Sequence, residues 1–90
     1  MAIGVIFQAQ GTTQAQYDQV RQQVLPDNQP APGMIAHAAG PSENGFCVIE
    51  VWESQEAAQA FFEAKLGQAL HAAKINVQPT FFEVINSIRR

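Results

Sequence analysis

Apolar and polar residues alternate at the start of the chain: Ile3, Val5, Phe7 and Ala9 fall to one side, Gly4, Ile6, Gln8 and Gln10 to the other. This period of two predicts a first strand over residues 2–10, ended by Gly11. Thr13 with Gln16 three positions on has the form of a capping box. It opens a helix to about Leu25 with Tyr17, Val20 and Val24 along its buried side. Pro26 stops that helix, and Pro26, Pro30 and Pro32 make residues 26–33 a stiff, ordered loop. Residues 34–39 predict a second strand, Gly40 to Gly45 a turn with Asn44-Gly45 suited to positive φ, and 46–52 a third strand paired to the second as a hairpin. Ser54 is placed to cap a second helix whose buried stripe is Ala58, Phe62, Leu66, Ala69, Leu70 and Ala73. Gly67 inside that helix predicts a kink or a break into two pieces. Residues 75–78 lead through Pro79 to a last strand over 80–88.

The resulting order β-α-β-β-α-β is the α+β split βαβ arrangement called ferredoxin-like, spanning residues 1–90 as one domain. Right-handed crossovers give an antiparallel sheet in the order 4-1-3-2 with both helices on one face. Splitting each strand by parity yields one almost wholly apolar set, Ile3, Val5, Phe7, Ala9, Met34, Ala36, Ala38, Cys47, Ile49, Val51, Phe82, Val84 and Ile88, which is assigned to the helix-covered core. The other set mixes Phe46, Val48, Trp52, Phe81 and Ile85 with Gln8, His37, Glu50 and Glu83. It is too apolar for open water and too polar for a dry core, so it predicts a sheet-to-sheet homodimer, a dimeric α+β barrel, with His37, Phe46, Glu50, Trp52, Phe81 and Glu83 in the interface.

Composition narrows the partners. Hydrophobic residues make up 47% and charged residues 14% of the chain, which excludes a disordered segment. Five Lys plus Arg stand against eight Asp plus Glu, and two of the five are the terminal Arg89 and Arg90. That excludes a broad basic surface for nucleic acid or an anionic membrane. No apolar run approaches the ~18 residues of a membrane span, and the start at Met1 lacks a secretory signal, so a cytoplasmic protein is expected. The single Cys47 excludes an internal disulfide or a cysteine-based metal site, and its place on the apolar face predicts a buried, unreactive thiol.

Val51-Trp52-Glu53-Ser54, followed by a helix carrying Phe61-Phe62, resembles the antibiotic biosynthesis monooxygenase group of the dimeric α+β barrel superfamily. The opening strand with Gly11-Thr12-Thr13 and Tyr17-Asp18, and the run Pro32 to Pro41, are similar to the same group, so the resemblance covers essentially the whole chain. It implies the fold just derived, a homodimer, and a small protein that works without a cofactor. The activities it implies are those of a cofactor-independent oxygenase or isomerase acting on a small apolar or aromatic molecule. The haem-degrading branch uses an Asn on the first strand, a Trp on the second helix and a His about ten residues later. Here the first strand has no Asn and Phe61 takes the place of the Trp, so only His71 matches and haem chemistry is not implied.

Candidate chemistry is sparse. His37 and His71 are the candidate catalytic bases, since imidazole titrates near neutrality. The plainer reading weighs more for both: His37 as an interface group bonded to Glu50 or Glu83, and His71 as a helical residue that lines the helix–sheet cleft or lies in solvent without a catalytic role. Glu50 and Glu83 could share acid–base work or form a structural network with His37, Gln8 or the terminal arginines of a partner. Tyr17, Trp52, Phe61 and Phe62 are the candidate ligand-binding aromatics, with packing as the plainer role of each. No phosphate loop, metal motif or serine nucleophile elbow occurs. Two function classes stand: an enzyme of the kind the resemblance implies, or a non-enzymatic homodimeric module that binds a small ligand or serves as structure. An enclosed cavity of ~300 Å3 or more with a His and a second polar group converging would favour the enzyme, and a fully packed helix–sheet interface the module.

Overall fold

The computed structural model describes residues 1–88; the two terminal arginines, and any pairing expected of them, lie outside the described residues. Strand β1 (Ile3–Gln10) leads to helix α1 (Gln14–Val24), a 3-10 turn at Pro26–Asn28, and the hairpin of β2 (Met34–Ser42) and β3 (Gly45–Trp52). Helix α2 (Gln55–Phe61) runs through a π-helical turn (Phe62–Leu66) into α3 (Gly67–Ala72), and β4 (Pro79–Glu83) closes the chain. The sheet is antiparallel in the order β2-β3-β1-β4, the expected order read from the other edge. The last strand stops five residues short of Ile88.

Local chemistry explains the element ends. Thr13 Oγ1 accepts from the Gln16 backbone N–H at 3.2 Å while Gln16 Oε1 accepts from the Thr13 backbone N–H at 2.9 Å, the reciprocal box that starts α1. Ser54 Oγ accepts from the Ala57 N–H at 3.1 Å and starts α2. The proline-rich loop is ordered by two left-handed residues, Asp27 and Asn28, types that tolerate that region. The hairpin turn is tighter than expected. Ser42 pairs with Gly45, leaving Glu43 and Asn44 between the strands, and neither Asn44 nor Gly45 has positive φ. Pro41 is accommodated because β2 is an edge strand.

The break expected at Gly67 is present as the π-helical turn that ends there, where the Gly67 N–H reaches back to the Phe62 carbonyl. The turn inserts one extra residue into the helical repeat. Phe61 and Leu66, five apart, therefore share the core face, and the buried stripe runs Ala58, Phe61, Leu66, Ala69, Ala73. Phe62, expected in that stripe, is only half-buried.

The sheet faces are exchanged in β2, β3 and β4 relative to the parity assignment. The helices cover Val5 and Phe7 of β1, as expected, but opposite these stand Glu50 and Val48 of β3, with Ile3 opposite Trp52 and Ala9 opposite Phe46. Trp52 is 1% exposed, Phe46 5% and Glu50 6%, within a single chain. His37, Phe46, Glu50 and Trp52 thus lie under the helices and not on the open face where an interface was expected. Phe81 pairs with Val5 and Glu83 with Ile3, so these two also share the helix side, at the exposed β4 edge. In β2 the cause is a bulge between Met34 and Ala36. Met34 packs into the core opposite Trp52, and past the bulge the parity inverts, so His37 and not Ala36 or Ala38 points at the helices. The open face carries Ile6, Cys47, Ile49, Val51 and Phe82, with Ile49 52% and Phe82 49% exposed. Phe82 lays its ring against Gly4, where a β-carbon would overlap it. Cys47, expected buried, is partly exposed there.

Candidate functional site

The second turn of α1 puts Tyr17 over the sheet, and the β2–β3 register sets His37 directly opposite Glu50. Four polar side chains join in one line: Tyr17 Oη lies 2.7 Å from His37 Nε2, His37 Nδ1 lies 2.9 Å from Glu50 Oε2, and Trp52 Nε1 donates to Glu50 Oε1 at 3.0 Å. An ionised Glu50 only accepts, so the neutral imidazole carries its proton on Nδ1 and accepts the Tyr17 hydroxyl at Nε2. No buried side-chain polar atom among the described residues lacks a partner. That satisfaction is what allows a carboxylate to sit under the helices.

Aromatic contacts fix the line in place. Tyr17 stacks on Phe46 with ring centroids 4.8 Å apart, and Trp52 packs at a tilt on Phe61 at 5.2 Å. Burial pushes the Tyr17 phenol above its ordinary value near 10, with Arg21 pulling the other way and Glu50 adding to the rise. The hydroxyl is therefore a proton donor at neutral pH.

An apolar cavity of about 60 Å3 lies between α1, the π-helical turn and the sheet. Phe7, Val20, Phe61, Leu66 and Leu70 line it, with Tyr17, His37, Glu50 and Arg21 as its polar wall. Outside it runs a groove of about 300 Å3 against Asn28, Gln29, Pro30 and Met34. Arg21, Leu25 and His37 line both spaces, so His37 stands at the partition between them. An imidazole in this arrangement can take a proton from Tyr17 and hold the charge against Glu50 while the hydroxyl deals with whatever fills the cavity.

Of the residues singled out from the sequence, His37, Glu50, Tyr17 and Phe61 are brought together. His71 is exposed on α3 beside Phe62, Glu63 and Gln68, away from the cavity. Phe62 is with it, and Trp52 stands behind Glu50 rather than in the cavity wall. Glu83 is exposed on β4 and takes no part. Arg21 was not singled out; its signal was present as one of only three basic residues before the terminal pair. Among the described residues no group of three or more His, Cys, Asp or Glu could hold a metal ion, and no helix is long and apolar enough to cross a membrane.

No protein-family model matches the chain, and no curated protein matches it. Solved structures do. A cofactor-independent oxygenase from Streptomyces nogalater, SnoaB, is similar with a TM-score of 0.69 at 14% identity, over 99% of this chain and 97% of that one. A dimeric ferredoxin-like protein of unknown function from Thermobifida fusca has a TM-score of 0.68 at 18% identity, over 93% and 92%. A monooxygenase from the gene ActVA-Orf6 of Streptomyces coelicolor, in complex with the ligand nanaomycin D, has a TM-score of 0.60 at 19% identity, over 99% and 91%. At these identities the likeness is one of fold: this chain has the ferredoxin-like α+β fold of antibiotic biosynthesis monooxygenase-like proteins.

Proposed function

We propose that this protein is an enzyme that removes a proton from a small aromatic molecule, with Tyr17 as the group that meets the substrate and His37 as the base behind it. The observation that carries the reading is the unbroken line Tyr17–His37–Glu50 ending at an apolar cavity. As the Tyr17 oxygen accepts the substrate proton, its own proton passes to His37 Nε2, and the imidazolium formed is held by Glu50 at 2.9 Å. The reverse transfer returns a proton, so one device serves both directions. The substrate anion is the electron-rich species that dioxygen can oxidise without help. A ring CH2 and O2 then give C=O and H2O with no cofactor called for, and a solved protein of this fold is a cofactor-independent oxygenase. If the proton returns at a different carbon, the product is an isomer.

The small cavity favours a second reading, a dimeric module that binds a ligand without turning it over. A space of about 60 Å3 is below the ~150 Å3 that takes benzene, so an aromatic ring must also use the groove or part the helices from the sheet. One experiment separates the readings. Phenolic and enolic aromatic compounds are screened for dioxygen uptake and for deuterium incorporation from D2O. Turnover that falls about 10²–10⁴-fold in His37→Gln and in Tyr17→Phe supports the enzyme. Binding with no turnover, or turnover unchanged in both variants, sinks it.

What supports a homodimer is the open sheet face. Ile6, Ile49, Val51 and Phe82 form an apolar surface that water does not suit, and a solved protein of the same fold is dimeric. The expected interface is therefore made of this set, with the polar line inside each protomer. The free thiol of Cys47 fits a reducing compartment and hence the cytoplasm.

A further inference from the structure

Among the described residues Arg21 is the one Lys or Arg that lines the site. Arg21 lies one helical turn beyond Tyr17 on α1 and lines both the inner cavity and the outer groove. Its Nη1 donates to the Leu25 carbonyl at 3.3 Å, which anchors the guanidinium at the partition and leaves most of its donors without an acceptor among the described residues. The carboxylate facing the same cavity is Glu50, and both its oxygens are engaged, one by His37 and one by Trp52. Among the described residues the one ion pair is His37–Glu50. A half-buried guanidinium beside an apolar cavity, with no carboxylate of the described residues within 4.0 Å of it, has the chemistry of a receptor for a carboxylate, which its planar fork grips with two parallel bonds. Asn28 and Gln29 across the groove add neutral donors.

We infer that Arg21 binds a carboxylate on the substrate, so that the molecule taken up is an aromatic acid whose carboxylate lies in the groove and whose acidic ring hydroxyl or ring carbon reaches Tyr17. This deepens the reading above and rests on it for the identity of the site, though its test needs no turnover. Tyr17 and Arg21 are four residues apart, ~6 Å along the helix, so a ring substituted at opposite ends spans them. The arrangement also sets charge apart from chemistry: the permanent anion is held at the groove, and the proton is lost beside the apolar wall. The other two cations of the body, Lys65 and Lys74, line neither space.

The test is calorimetric titration of the full chain with 4-hydroxybenzoate and with its neutral near-isostere 4-hydroxybenzamide. The acid is expected to bind at least about tenfold more tightly than the amide, and Arg21→Gln is expected to remove that preference by weakening the acid alone. Arg21→Lys, which keeps the charge and loses the fork, should fall between. Should Arg21→Gln not fold, the wild-type protein decides, because affinity for the acid must fall with added salt while that for the amide does not. Equal affinities for acid and amide, equal salt dependence, no binding of the acid at millimolar concentration, or an Arg21→Gln protein that binds the acid as the wild type does would each overturn the assignment. If instead Tyr17→Phe stops turnover and Arg21→Gln leaves acid binding intact, the reaction stands and the carboxylate site falls. The opposite pattern condemns the reaction and keeps the site.

Discussion

His37 and Glu50 are direct cross-strand partners in β2 and β3, and the pairing sets Nδ1 2.9 Å from Oε2 beneath the first helix. Because the two belong to adjacent strands of one hairpin, their separation is set by sheet geometry and not by a flexible loop. Glu50 also accepts from Trp52, so its removal leaves two donors without partners. Glu50→Ala is expected to destabilise the fold by about 2–4 kcal/mol, read as a shift in the denaturation midpoint at constant slope. Glu50→Gln keeps the shape and a hydrogen bond but cannot offset an imidazolium. It should cost less stability and still depress any turnover that His37→Gln depresses.

Tyr17 is the only tyrosine, so its ionisation can be followed by absorbance without assignment. Its folded value is raised, by burial first. The unfolded chain then loses this proton near pH 10 while the folded chain keeps it, and stability falls as pH climbs from about 10 through the folded value. Below pH 10 both states hold the proton and the contribution is constant. The titration should show a phenol ionising above pH 10 in native protein and near 10 in denaturant; equal midpoints would contradict the burial.

Much of the architecture was legible because it rests on local signals. The capping residues Thr13 and Ser54, the break at Gly67 and the order of strands all follow from chemistry within a few positions. The faces were not legible, for two reasons. A bulge between Met34 and Ala36 changes parity inside a strand, and nothing in Met-Ile-Ala-His marks it. In β3 the more apolar set, Cys47, Ile49 and Val51, was assigned to the core on hydrophobicity. The chain instead buries Phe46, Val48, Glu50 and Trp52, since a carboxylate whose partners are all present costs little and the larger aromatics fill more space. The contact of His37 with a carboxylate was expected. That its other nitrogen meets Tyr17 depended on the face and could not be read from spacing.

The open face gives a prediction about association. Ile49→Asp is expected to yield a monomer by size-exclusion with light scattering, with the protomer fold retained, because Ile49 is half exposed within one chain. Cys47 shares that face, so thiol labelling should slow as protein concentration rises. A labelling rate independent of concentration, together with a stable monomer in the parent protein, would remove the dimer.

Gly4 and Phe82 give a further one. The ring of Phe82 occupies the place where a β-carbon at Gly4 would sit. Gly4→Ala must push that ring off the sheet, lowering stability by about 1 kcal/mol and loosening association. In a Phe82→Ala background the same substitution should be nearly neutral, and a double-mutant cycle measures the difference. Additive effects would mean that the two residues do not meet in solution.

Trp52 is the single tryptophan of the chain, and its indole N–H ends on the same carboxylate that steadies His37. Its emission maximum and lifetime depend on the field at that nitrogen, so the fluorophore and the proton line share one atom group. The protein therefore holds an intrinsic optical gauge of whether the imidazole beside Glu50 is charged, readable in the unlabelled wild-type molecule while a ligand is added.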